Sequence, residues 1–249
     1  MLTPTTETKI KQIRRDILNA SYEAKACHIG SSMSCVDILV DLFYTKKINP
    51  KQFIFAKASG ISTYLSILAD LNYFPKEKLA EYLRNFPLAS KEVPGIVHST
   101  GSISHGFNVA AGLAMSDRGK EIYCLESDGA INEGSFWEAM LFSAHHKLSN
   151  LVVIIDRNFL QAMGSTEDIM KLEPLVDKFM AFNWECKRVK GHDSKEIIDA
   201  LNGWETNKPK ILICDTVKGY PISFMSKETS WHYKNLDESF LRQALSELE

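Results

Sequence analysis

Residues 121–158 read EIYCLESDGAINEGSFWEAMLFSAHHKLSNLVVIIDRN, and they hold the fold in miniature. Two apolar runs, EIYCLES and NLVVIID, flank a segment whose large side chains recur every three to four residues, the pattern of a helix between two strands. The runs are apolar throughout rather than alternating, which predicts strands buried on both faces, as in a parallel sheet covered by helices. Each run ends in polar residues: Ser127-Asp128-Gly129 after the first, Asp156-Arg157-Asn158 after the second. A carboxylate at the end of a buried strand is costly unless something meets it, so Asp128 needs a partner.

Downstream the alternation continues through helix LEPLVDKFMAF, strand WECKRVK, helix SKEIIDALNGW and strand KILICDTV. Upstream, Ile10, Ile13, Ile17 and Leu18 predict a helix over 8–25. A loop, CHIGSS, should then lead into a helix at CVDILVDLFY, capped by Ser34 or Ser32. After the β-rich QFIFAKASG come helical patterns at STYLSILADLNYF and KEKLAEYLRNF, then a long Gly- and Pro-containing loop over 87–106, then a helix at FNVAAGLAMSDRG. The expected fold class is α/β: a doubly wound, mostly parallel sheet flanked by helices, as one domain over 1–249 with the N-terminal helices packed on the sheet.

Composition narrows the partners. A net charge of -2 with both signs dispersed offers no basic stripe for nucleic acid and no polybasic segment for a membrane surface. No apolar run approaches the length of a membrane span, and the N-terminus lacks the pattern of a secretory signal. The five cysteines show no C-x-x-C pairing, which fits reduced thiols and a cytoplasmic protein.

In open parallel sheets, ligands bind beyond the carboxyl ends of the strands. Asp128 and Asn158, one βαβ unit apart, would there supply a carboxylate and an amide oxygen, a hard set suited to Mg²⁺ or Ca²⁺. Gly129 and the following helix N-terminus would offer N–H groups to an anion, so a metal-bound diphosphate is one reading. The other is that Asp128 and Glu133 only cap and complement that helix. Neither a P-loop nor a G-x-G-x-x-G after a strand occurs, which disfavours nucleoside triphosphates and dinucleotides.

The stretch SDGAINEGSFWEAMLFSAHHKLSNLVVIIDRNFLQAMG resembles the thiamine-diphosphate motif of transketolases, which begins GDG and closes with D-x-N. In the same order, CHIGSSMSCVDIL, VPGIVHSTGSISHGFNVAAGLAM and DTVKGYPISFMSKETSWH are similar to three further family segments. The resemblance implies thiamine diphosphate with Mg²⁺ (or Ca²⁺) held by Asp128, Asn158 and the Leu160 carbonyl. It further implies that Gly129 lets the backbone approach the diphosphate, that His28 and His232 contact diphosphate or sugar oxygens as catalytic histidines, and that Gly101, Ser102 and Ile103 lie against the aminopyrimidine. Ala162 would pack on the thiazole, and Glu133 matches a residue near the subunit contact. Taken alone, His28 reads as a capping or packing residue, His145 and His146 read as structural or surface residues and His192 as a loop residue, while His98 fits more than one role.

Departures from the pattern are Ser59 where the family has a diphosphate-contacting histidine, Ser127 for the first glycine of GDG, a shortened loop before Pro94, and His105 for a glutamine. They imply an unusual sugar or sugar-phosphate pair, or a degenerate subunit. Transketolases carry a pyrimidine domain with an activating glutamate, so the resemblance is to the N-terminal subunit of a split transketolase, completed by a C-terminal pyrimidine-domain subunit in an α₂β₂ assembly. Rival expectations are a non-catalytic scaffold subunit and the α subunit of a 2-oxo acid dehydrogenase.

Overall fold

The computed structural model describes residues 4–57, 59–101 and 103–249. Five strands, β1 (Phe53–Phe55), β2 (Ile122–Ser127), β3 (Leu151–Arg157), β4 (Glu185–Lys190) and β5 (Lys210–Asp215), form one sheet in the order β1-β2-β3-β5-β4, every neighbouring pair parallel. The three central strands are nearly continuous apolar runs because both faces are covered. Val152, Ile154, Tyr123, Leu125 and Leu212 point into one core with helices Pro4–Ala24, Ile61–Asp70 and Leu79–Asn85, while Val153, Ile155, Cys124, Ile211 and Ile213 point into another with helices His105–Ser116, Gly134–His145 and Leu175–Ala181. The doubly wound architecture follows from this period-two division of apolar side chains.

Helix Pro4–Ala24 buries Ile13, Ile17 and Leu18, the stripe that its sequence spacing predicts. The Ser194–Asn202 helix starts where Asp193 accepts hydrogen bonds from the Lys195 and Glu196 N–H groups. Among the described residues, no helix is long and apolar enough to cross a membrane.

Two local expectations are corrected, and one element not expected is added. The segment expected as a loop, CHIGSS, is mostly helical: Ile29–Ser34 is a fully buried helical stretch, entered through His28 in the left-handed region at φ 64°. Burial explains this, since backbone groups shut off from water must bond one another, as the Ser32 N–H does to the His28 carbonyl at 3.0 Å. Ser34 and Ser32 do not cap the next helix, Val36–Val40, whose N-cap is Cys35 without a side-chain bond. Ser34 is drawn instead to Asp156, 2.6 Å away. Finally, the C-terminal residues form an additional helix, Glu238–Ser246, capped by Asp237 and packed through Phe240 on Phe224 and Trp231.

Candidate active site at the tips of β2 and β3

Ser127 pairs in register with Asp156, so Asp128, one residue past β2, and Asn158, one past β3, leave neighbouring strand tips. Asp128 is only 1% exposed. Its Oδ2 accepts the Phe159 N–H at 2.8 Å and the Arg157 Nη1 at 3.1 Å, and no described residue donates to Oδ1. Burial pushes this carboxyl up to about 6; the Arg157 guanidinium pulls the other way and Asp156 adds to the rise. The Asn158 amide oxygen accepts the Leu160 N–H at 3.1 Å, and Leu160 then bridges to Ser165 in a short hairpin. Among the described residues, nothing donates to the Leu160 carbonyl.

A cleft of about 410 Å³ opens over these tips. His28, Ser59, Ile103, Ser127, Asp128, Gly129, Glu133, Asn158, Leu160, Ala162 and His232 all line it, although they come from six separate parts of the sequence. Gly101 lines a neighbouring recess with His98 and His105 instead. Ser102 lies outside the described residues. A Cβ at Gly129 would meet only Gln161 at 3.6 Å, an ordinary contact, so nothing in the protein itself demands a glycine there. Ser127 has an extended backbone, φ -98° and ψ 158°, which its side chain tolerates without strain.

One wall of the cleft is a pair of imidazoles. His28 and His232 meet edge to face with ring centroids 4.8 Å apart, and the His28 N–H bonds the His232 carbonyl at 3.0 Å. Lys218, almost completely buried behind them, reaches His232 Nδ1 at 3.1 Å and the Gln161 carbonyl at 3.2 Å. Burial, then the ammonium groups of Lys218 and Lys57, depress both imidazoles, His232 to about 3. Lys218 itself is lowered to about 8, by burial and then by Lys57. Both histidines are therefore neutral at physiological pH, and Lys218 donating to Nδ1 of His232 leaves Nε2 as its N–H donor.

Beneath the cleft lies a buried ion pair. Lys57 Nζ and Asp156 Oδ2 are 2.6 Å apart, both with no exposed side-chain surface, and Ser34 and Thr216 donate to the same carboxylate. Burial opposes both charges, yet each partner holds the other ionised, Lys57 above and Asp156 below its ordinary value. Sequence reasoning missed Lys57, Asp156, Lys218 and Arg157 as site residues. The available signal was a charged residue inside an otherwise apolar or Gly-containing segment, as in FIFAKASG and VVIIDRN.

His192, expected only as a loop residue, sits in a turn but is bound at both ring nitrogens: Nδ1 lies 2.8 Å from Asp37 and Nε2 accepts the Val217 N–H at 2.9 Å. It ties the turn after β4 to Asp37 and to Val217 just beyond β5, and it does not line the cleft.

Oxygen-bearing side chains on two parallel strand tips, a turn with open space beside its backbone and a neutral imidazole wall are chemically suited to an anionic ligand. No group of three or more His, Cys, Asp or Glu side chains among the described residues is arranged to hold a metal by itself, so a cation here would rely on Asp128 together with amide, carbonyl and phosphate oxygens. The family model described as "Transketolase, thiamine diphosphate binding domain" matches residues 87–248, and the chain belongs to the transketolase family. It is 37% identical to an apulose-4-phosphate transketolase subunit of Actinobacillus succinogenes, with 98% of this chain and 95% of that protein covered. It is 31% identical to a 6-deoxy-6-sulfo-D-fructose transketolase subunit of Clostridium sp. (strain MSTE9), covering 89% of this chain and 88% of the relative. The transketolase structure from Campylobacter jejuni superposes with a TM-score of 0.89 at 24% identity, over all of this chain and 43% of the longer one, a likeness of fold.

Proposed function

We propose that this chain is the thiamine-diphosphate-binding subunit of a split transketolase, spanning one domain and transferring a two-carbon ketol unit from a ketose to an aldose. The observation that carries this reading is the meeting of Asp128, Asn158, Leu160, His28 and His232 on one cleft, in a chain whose near-full-length relatives are transketolase subunits. Thiamine diphosphate, when bound, supplies the nucleophilic carbon and the electron sink needed to break the sugar's C–C bond.

This chain's own groups would do the rest. Asp128, Asn158 and the Leu160 carbonyl would hold Mg²⁺ or Ca²⁺, an assignment supported by the open Oδ1 and the undonated Leu160 carbonyl. Gly129, Ser127 and Ser59 would face the diphosphate, Ser59 through a hydroxyl that cannot carry positive charge. Ile103 and Ala162 would pack on the cofactor rings, with Gly101 and Ser102 in the same loop. His28 and His232, neutral and facing the cleft, would give and take protons at sugar hydroxyls, with Lys218 keeping the His232 Nε2–H outward. Glu133, exposed at the cleft edge, would lie near the subunit contact.

The relatives' names specify phosphate- and sulfo-bearing sugars, so an anionic ketose is the substrate class proposed here. The partner is proposed to be a pyrimidine-domain subunit that brings the activating glutamate, in an α₂β₂ assembly. Purified chain, assayed with and without the proposed pyrimidine-domain subunit, should transfer ketol groups only in the mixture. Robust turnover by the chain alone would overturn the split-site reading.

A further inference from the structure

Arg157 precedes Asn158 and bonds Asp128, two residues proposed as cation ligands, yet its side chain has no exposed surface and does not line the cleft. Its guanidinium is held at several points. Nη1 donates to Asp128 Oδ2 at 3.1 Å and to Thr166 Oγ1 at 2.6 Å, Nη2 to Glu167 at 2.9 Å and to Glu173 at 3.4 Å, and the group lies 4.1 Å from the centre of the Phe159 ring. Glu173 in turn pairs with Arg188, which pairs with Asp215 at the end of β5. Both bonds onto Asp128, from Arg157 and from the Phe159 N–H, fall on one oxygen.

A carboxylate free to rotate about its last bond presents either oxygen in many directions, and freezing it on binding costs entropy. Here that rotation is stopped in advance from the protein side. Away from Asp128 the guanidinium is held by the Glu167 and Glu173 carboxylates, and Glu173 is itself fixed by Arg188, which also pairs with Asp215.

Resting on the cofactor reading above, we infer that Arg157 is a positioning residue: it pins Oδ2 of Asp128 from behind, so that Oδ1 is the oxygen offered to a divalent cation beside Asn158 and Leu160. The fork geometry matters as well as the charge, since a lysine's single nitrogen lacks the two-nitrogen spread that meets Asp128 and Thr166 through Nη1 and Glu167 through Nη2.

The test is Mn²⁺ binding to the full chain with thiamine diphosphate present, read by electron paramagnetic resonance, with melting curves alongside. Arg157→Met and Arg157→Lys should each weaken Mn²⁺ by roughly 10–100-fold, the usual cost of losing a residue that orients a metal ligand. Thr166→Val combined with Glu167→Ala, which keeps the arginine but removes two anchors, should give a smaller loss of the same sign. Asp128→Asn marks complete loss. Native-like Mn²⁺ affinity in folded Arg157→Met and Arg157→Lys, with Asp128→Asn defective, overturns the inference and leaves the cofactor reading standing. If neither Arg157 variant folds, unchanged affinity in the Thr166/Glu167 double variant overturns it equally. Absence of Mn²⁺ binding in the native chain, alone and with its partner subunit, overturns the metal assignment and the inference with it.

Discussion

Glu126 is the residue whose environment is least expected from its chemistry. It sits one place before Ser127 in β2, fully buried, with neither carboxylate oxygen hydrogen-bonded to a described residue. Burial drives its carboxyl up to about 8, with the Ser127 and Phe107 backbone amides opposing. The sign follows from proton counting: between the ordinary carboxylate range and about pH 8 the folded chain keeps a proton that the unfolded chain has lost, so stability falls as pH rises through that window. Glu126→Gln should remove this dependence, flattening a slope of up to roughly 1.4 kcal/mol per pH unit, and should gain most over the native chain near pH 8. Urea unfolding at pH 5 and pH 8 measures it; an identical pH dependence in both proteins refutes the assignment. Nothing in the run EIYCLES announced this, because an acid at a strand end reads as solvent-facing until the helix covering it is known.

At the scale of elements, the His105–Ser116 helix is set against β1 by a single absence. A Cβ on Gly106 would lie 2.4 Å from the Ala56 Cβ and 2.8 Å from its Cα, closer than any side chain could accept. Gly106→Ala should therefore push the helix off the sheet and cost about 1–3 kcal/mol, as overpacking does. Because the helix follows the loop bearing Gly101 and Ile103, cofactor affinity should fall with it; a melting temperature and a thiamine diphosphate titration both equal to native would show that the contact yields freely. The helical and strand patterns were readable because each carries its period in neighbouring residues. The helix at Ile29–Ser34 was not, since its six residues, a glycine among them, make no stripe and its helicity comes from being enclosed.

Across the whole molecule, the cleft is bordered by apolar side chains that water does not favour. Ile103 and Ile169, which line it, are each 41% exposed and Met170, also in the lining, 63%, while Met163, the residue after the lining Ala162, is 89% exposed. Exposed apolar groups gathered at one site mark a surface that another chain covers. Under the split-enzyme reading, the pyrimidine-domain subunit should shield Met163 and Met170, slowing their oxidation by peroxide several-fold in the assembly relative to the free chain. Peptide mass mapping reads the rate, and equal rates in both samples would place the partner elsewhere.

The amino-acid sequence alone determined the α/β class, the parallel sheet and the two polar strand tips, because burial on both faces writes itself into each strand as an unbroken apolar run. It also placed Asp128 and Asn158 at those tips through the motif around them. Only the tertiary structure decided that His28 and His232, far apart along the chain, share one wall; that Lys57 and Asp156 neutralise each other beneath it; and that Arg157 turns inward to hold Asp128. Periodicity is a property of neighbours along the chain, whereas ion pairs and ring contacts form between strangers that the sheet brings together, and their charges are tolerable only at the distances the fold sets.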